Sequence, residues 1–176
     1  MLLEAESNLD EIRASPRDGG TVELIARRPA ENEREVLDSA WVDPALGLVG
    51  DCWLAKLESG GKPLDPDTQL TLMNARSAAL VAGTRERWAL AGDQLYVDLD
   101  LSYANLPPGT RLAIGEAVIE VTAVPHTGCG KFLRRFGIEA QKLVNSAAGR
   151  ELNLRGINAR VTAPGSVRVG DRIAKL

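Results

Sequence analysis

Apolar and polar residues alternate with period two in several short stretches, the mark of strands buried on one face. The clearest runs from Gln94 to Leu101, where Leu95, Val97, Leu99 and Leu101 share one face and Gln94, Tyr96, Asp98 and Asp100 the other. In Ala117 to Val124, Ile119, Val121 and Ala123 oppose Val118, Glu120 and Thr122. In Ile157 to Val161, Ile157, Ala159 and Val161 oppose Asn158 and Arg160. Thr21 to Arg27, Gln69 to Leu72 and Val167 to Ala174 are weaker strand candidates. Gly60-Gly61, Pro107-Pro108-Gly109, Gly115 and Pro164-Gly165 punctuate these runs as turns. Many short strands with Gly/Pro turns, and no regular strand–helix alternation, predict a mainly β (α+β) fold: a barrel or sandwich with a few peripheral helices.

Two helices interrupt the pattern. Asn74 is placed to cap a helix over Ala75–Ala82 that stops at Gly83. A second helical region runs from about Gly130 to Ala148, with Ala140, Leu143, Val144 and Ala147 on one stripe. Gly137 is expected to break it and Gly149 to end it. Residues 1–20 read as an N-terminal arm or short amphipathic helix that stops at Pro16 and Gly19-Gly20, and 21–176 as one domain. The N-terminus has no apolar core of a signal peptide, and no run of roughly 18 apolar residues is long enough to span a membrane.

Composition narrows the chemistry. Two cysteines are too few for a secreted disulfide scaffold, which points to a reducing, cytoplasmic setting. One histidine and two cysteines cannot build a four-ligand Cys/His zinc site. The net charge of −3 conceals a split: from His126 onward there are ten Lys/Arg against three Asp/Glu, and before it eleven against twenty-one. A basic C-terminal part suits an anionic partner. Aromatics make up only 4% of the chain, and no basic stretch is interleaved with stacking rings. A small anion therefore fits better than nucleic acid.

The chemistry concentrates in Val124-Pro-His-Thr-Gly-Cys-Gly-Lys-Phe-Leu-Arg-Arg-Phe-Gly137, between a predicted strand and a predicted helix. Cys129 lies between Gly128 and Gly130, which carry no side chain to shield the sulfur and leave backbone N–H groups free to meet an anion. At a helix N-terminus the unpaired N–H groups and the dipole favour thiolate. His126, Lys131, Arg134 and Arg135 lie close by, and no Asp or Glu occurs from Val121 to Ile138. The alternative for Cys129 is a buried small hydrophobe; its setting favours the ionised form. His126 serves either as a proton relay or as a brace for its loop. Lys131, Arg134 and Arg135 bind an anion or stand as exposed helix charges. Asn158 and Arg160 share a strand face, toward either the site or solvent. Phe132 and Phe136 belong to the core. Cys52, beside Asp51 and Trp53, is explained by packing.

The segment His126-Thr-Gly-Cys-Gly-Lys-Phe132, with Arg135-Phe-Gly137 and Val144-Asn145, resembles the MOSC domain, named for the C-terminal domain of molybdenum-cofactor sulfurases. Gly47-Leu-Val-Gly-Asp-Cys-Trp53 is similar to that family's Gly-Leu-x-Gly-Asp turn. Leu112-Ala-Ile-Gly-Glu-Ala117 is similar to its strand before the cysteine. Gly156-Ile-Asn-Ala-Arg-Val161 and Val167-Arg-Val-Gly-Asp171 are similar to its closing hairpin. The resemblance covers roughly residues 20 to 176 and implies a mixed β-barrel of the pyruvate-kinase-barrel-like type. It implies molybdenum cofactor (molybdenum bound to molybdopterin) as ligand, with Cys129 carrying sulfur as a persulfide or ligating molybdenum and His126 assisting it. Gly128, Gly130, Lys131, Arg134, Arg135, Asn158, Arg160 and Asp51 would surround the cofactor. It further implies a pyridoxal-phosphate cysteine desulfurase or other sulfur donor as partner, and a molybdoenzyme or electron-transfer protein beyond it. The chain has no room for a pyridoxal-phosphate site of its own. A reductase component acting on N-hydroxylated bases and a non-catalytic anion-binding module are the alternatives. Where some bacterial relatives carry His-Gly-Gly, this chain reads Ser59-Gly60-Gly61.

Overall fold

A computed structural model describes the backbone of residues 2–54 and 64–176, with side chains from residue 7 onward. The expected turn at Gly60-Gly61, and the Ser59-Gly60-Gly61 departure, lie outside the described residues.

Seven strands close into a mixed barrel. In order around the ring they are β1 (Gly20–Arg27), β6 (Leu95–Asp98), β5 (Leu70–Asn74), β9 (Ile157–Ala163), β8 (Ala117–Val121), β7 (Arg111–Ile114) and β11 (Arg172–Lys175), and β11 pairs back onto β1. Every neighbour is antiparallel except β5 and β6, which run parallel and are joined by helices, as a parallel connection requires. β2 (Glu35–Leu37) extends the far end of β1 outside the ring. A small sheet orders β10 (Gly165–Arg168), β3 (Ser39–Asp43) and β4 (Gly47–Leu48).

The alternation decides which side chains fill the ring. Leu95, Val97, Leu99, Leu101, Ile119, Val121, Ile157, Ala159 and Val161 all enter one buried cluster inside it. The opposite faces of β1, β5 and β6 carry Leu24, Met73 and Tyr96 into a second cluster under the helices. The pattern of β1 looked weak because its register to β6 slips between Val22 and Leu24. Val22 and Ile25 therefore both point inward, three residues apart.

Helix α1 spans Leu2–Arg13 and places Ile12 in the outer cluster. Helix α2 (Ala75–Ala82) begins and ends as expected, because the Asn74 side chain accepts the N–H groups of Arg76 and Ser77 and Gly83 follows at φ 76°. Helix α3 spans Gly130–Asn145 and kinks at Gly137, whose φ of 85° no neighbouring side-chain-bearing residue adopts at low cost. No helix among the described residues is long and apolar enough to cross a membrane.

Three expectations need correction. Gly149 does not end the second helical region. Ser146 does, by accepting the Gly149 N–H and starting α4 (Ala147–Glu151). Leu112–Ala117 is not one strand but the β7–β8 turn, reversed at Gly115 with φ 54°. The Gly156–Val161 and Val167–Asp171 segments do not form a hairpin together: β9 pairs with β5 and β8, and β10 leaves the ring to pair with β3.

Asn74 ties these parts together, since its buried amide also donates to Ser15 Oγ at 2.9 Å and to the Leu99 carbonyl at 2.8 Å. Asn74→Ala removes a helix cap and leaves a buried carbonyl unpaired, so it should lower unfolding stability by about 2–4 kcal/mol. Urea denaturation of the two proteins measures this.

Candidate functional site

Cys129 is the residue before the first turn of α3, with extended backbone (φ −108°, ψ 177°), and its side chain is exposed. It opens onto a cleft of about 680 Å³, within the range of small-molecule sites. Partial burial works against ionisation of the thiol. The N–H groups of Phe132 and Lys131 and the positive charge of Arg155 outweigh it, so the thiol is shifted below its ordinary 9.0.

Beside the sulfur stands a buried charge cluster. Asp93 has no exposed surface; its Oδ1 lies 2.7 Å from His126 Nε2, and its Oδ2 accepts from Arg155 Nη1 at 2.5 Å. Burial opposes ionisation of Asp93. Arg155 and His126 reverse that and hold the carboxylate far below the usual range. An ionised Asp93 accepts from Nε2–H, and Nδ1 is the ring nitrogen that Asp93 does not engage. Arg155 also donates to the Ala91 carbonyl at 2.8 Å and lies over the Phe132 ring, 5.0 Å from its centre. Both His126 and Arg155 line the cleft.

Five cationic side chains face this cleft: Arg28, Arg34, Lys131, Arg135 and Arg155. Three are answered by a carboxylate. Arg28 grips Asp51 twice, at 3.0 and 2.7 Å, Lys131 Nζ meets Glu31 at 2.9 Å, and Arg155 meets Asp93. Among the described residues Arg34 and Arg135 are held only by neutral oxygens, those of Ala89, Glu33 and Leu90 carbonyls and the Asn32 amide. No carboxylate among those residues answers their charges. Burial first, then repulsion from Arg135 and Arg28, lowers the pKa of Arg34, the mark of crowded positive charge.

The structure sorts the sequence candidates. Cys129, His126, Lys131 and Arg135 meet in the cleft. Asp51 sits behind it and fixes Arg28. Gly128 packs against α3: its N–H reaches Asn145 Oδ1 at 3.3 Å, its carbonyl accepts from Gln141, and a Cβ would lie 2.3 Å from Gln141 Oε1. Gly130 opens α3 and is exposed. Asn158 donates to the Val124 carbonyl at 3.0 Å and so braces the loop before His126. Arg134 is exposed and does not line the cleft. Arg160 lies on the outer face, paired with Glu120 and Asp67. Cys52 lines the cleft, so packing does not fully explain it. Among the described residues no three His, Cys, Asp or Glu side chains gather as a metal site.

Sequence reasoning missed Asp93, Arg155, Arg28 and Arg34. Arg155 left a signal, a single charge set between Leu154 and Gly156-Ile157 at the start of a strand. Asp93 left none, because Gly92-Asp93 reads as an ordinary turn.

Three measurements test this geometry. In a Cys52→Ala background, the iodoacetamide rate at Cys129 should reach half its plateau below pH 9.0; a midpoint at or above that value refutes the electrostatic account. Asp93→Asn leaves a buried guanidinium without its counter-charge and should cost about 3–5 kcal/mol of stability. The depressed Asp93 pKa stabilises the fold above the ordinary Asp value of roughly 3.9 and ceases to as pH falls through the folded value. Acid denaturation of Asp93→Asn should therefore be shallower below that pH.

The comparisons with known proteins agree with the geometry. A family model described as MOSC domain matches residues 60–174, well over half of the chain. Among solved structures, YuaD from Bacillus subtilis superposes with TM-score 0.63 at 20% identity, covering 89% of this chain and 94% of that one. YiiM from Escherichia coli superposes with TM-score 0.57 at 22% identity, over 89% of this chain and 69% of the other. YiiM from Geobacillus stearothermophilus gives the same TM-score, 0.57, at 14% identity, over 89% and 75%. Likeness at such identity concerns the fold alone. No curated protein matches the sequence. The family model runs through the cysteine segment and on to the last strand of the barrel, and the chain belongs to the MOSC domain family.

Proposed function

We propose that this MOSC protein binds molybdenum cofactor in the Cys129 cleft and carries sulfur for it on Cys129 as a persulfide. The observation that carries this reading is an exposed thiol of lowered pKa beside two guanidinium groups that no carboxylate among the described residues compensates. The donor set suits the cofactor. Its phosphate needs cations not already neutralised, which are Arg34 and Arg135, and a bidentate guanidinium suits phosphate oxygens. Its bulk needs a hollow of several hundred Å³, as found here. The cofactor supplies a molybdenum centre that accepts a sulfur ligand, and Cys129 is the soft donor facing that space.

The chain's own residues account for the loading step. The Cys129 thiolate attacks the outer sulfur of a persulfide on a donor protein such as a cysteine desulfurase. The donor's S–S bond breaks, the donor thiol leaves as thiolate, and Cys129 holds the transferred sulfur as S–SH. Atoms and electrons balance without an added oxidant. The helix N–H groups that stabilise the Cys129 thiolate also favour the anionic form of the product. His126 Nδ1, free of Asp93, accepts or returns the persulfide proton. The recipient is a molybdoenzyme, and the expected setting is the cytoplasm.

The test is a protein purified from a molybdenum-replete, desulfurase-competent host, with molybdenum, oxidised pterin and cyanide-releasable sulfur measured per chain. Cys129→Ser should abolish the releasable sulfur. Arg34→Ala with Arg135→Ala should reduce pterin about tenfold or more, and Lys131→Ala much less, since Glu31 already neutralises it. Unchanged sulfur in Cys129→Ser, or wild-type pterin in the double variant, would overturn the proposal.

A further inference from the structure

Behind the wall formed by His126 and Arg155 lies a second hollow of about 310 Å³, and both residues line it as well as the Cys129 cleft. Thr127, Asn145, Arg150 and Asn153 complete its polar lining, and no Asp or Glu lines it among the described residues. The bonding of these groups shows what remains to be satisfied. Arg150 is exposed and forms no ion pair among the described residues. Asn145 uses its side-chain oxygen on the Gly128 N–H, which leaves its amide N–H groups as donors. Asn153 does the reverse: its amide donates to the Leu101 carbonyl at 2.9 Å, which leaves its side-chain oxygen as an acceptor. The wall itself keeps one unpaired donor, since Arg155 is only 5% exposed and its Nε has no hydrogen-bond partner.

We propose that this hollow is a separate binding site for a small hydroxylated organic anion, its carboxylate or phosphate on Arg150 and the Asn145 amide and its hydroxyl on Asn153. One guanidinium with no carboxylate partner among the described residues, beside an amide donor, recognises an oxyanion. The acceptor on Asn153 asks for a hydroxyl, which a bare inorganic ion does not offer. The volume lies at the small end of metabolite sites. Nothing in this inference rests on the role of Cys129. The two hollows nevertheless share a wall, and Asn145 holds the residue immediately before the cysteine. An occupant is therefore expected to be felt at the sulfur.

The test is an NMR titration of the ¹⁵N-labelled full chain with glycerol 3-phosphate and, separately, L-malate. Saturable shifts are expected at the backbone amides of Asn145, Arg150 and Asn153 with at least one probe, and the stronger probe identifies the oxyanion. Arg150 is exposed, so Arg150→Ala and Arg150→Gln should fold, and both should weaken binding about tenfold or more. Arg34→Ala, in the other cleft, should leave it unchanged. Inorganic phosphate should bind more weakly than the preferred probe. No saturable shift with either probe, shifts confined to the Cys129 cleft, wild-type affinity in both Arg150 variants, or phosphate binding as tightly as the better probe would each overturn the proposal.

Discussion

The site depends on one carboxylate that water cannot reach. Asp93 is fully buried and ionised, and it remains so because Arg155 and His126 approach its two oxygens from different parts of the chain. A lone buried carboxylate would be several kcal/mol too costly, so the three groups must arrive together or not at all. Asp93 lies just before β6, His126 in the loop after β8 and Arg155 just before β9. β8, β9, β5 and β6 are successive neighbours in the ring, and their pairing brings these three residues together. That strand order is thus the condition for pairing the charges, and the pairing in turn fixes the loop that carries Cys129.

Positive charge around the sulfur is abundant by count and sparse in effect. Arg28, Lys131 and Arg155 each face a carboxylate, so their fields largely cancel a few ångströms away. What bears on an entering anion is the pair Arg34 and Arg135, together with the start of α3. The pairs have other uses: Arg28 with Asp51 anchors the turn after β4 to the end of β1, and Arg155 stacks on Phe132 and so seats the first turn of α3. In this arrangement the paired cations build the walls, and the two that meet no carboxylate among the described residues face the cleft.

The barrel was legible because its interior obeys period two in β6, β8 and β9, where burial on one face leaves no freedom of choice. The register slip hid β1. In the small sheet β10 overlapped only the weak Val167–Ala174 candidate, and β3 and β4 gave no signal because Gly47–Leu48 is two residues long and Trp41 on β3 and Val36 on β2 are exposed apolar residues that blur the alternation. The cysteine segment was legible from local chemistry alone: glycines on both sides, helix start, no acid nearby. Its partners were not. Asp93 and Arg155 are 62 residues apart in sequence, and nothing local marks a charge that will be buried. Arg160 misled for the complementary reason, since strand alternation assigns a face without saying whether that face is the outside of the ring.

The contrast between the two cysteines shows how a shared space can still separate chemistry by backbone. Cys52 and Cys129 line the same cleft, both as free thiols. Cys52 follows the Asp51 turn, where its own N–H is committed to the Arg28 carbonyl at 2.7 Å and the nearest charge on its chain is an acid. Cys129 precedes a helix, where the next N–H groups have no backbone acceptor to meet. Those unpaired donors distinguish the two sulfurs more than any side chain does, because they act at contact range and are not screened by a counter-ion. A Cβ at Gly128 would lie 2.3 Å from Gln141 Oε1, so the Gln141 side chain that holds the Gly128 carbonyl would have to move. The reactivity of Cys129 is therefore set first by the path of the chain from Gly128 to Lys131, and the surrounding arginines act on a thiol that this path has already made acidic.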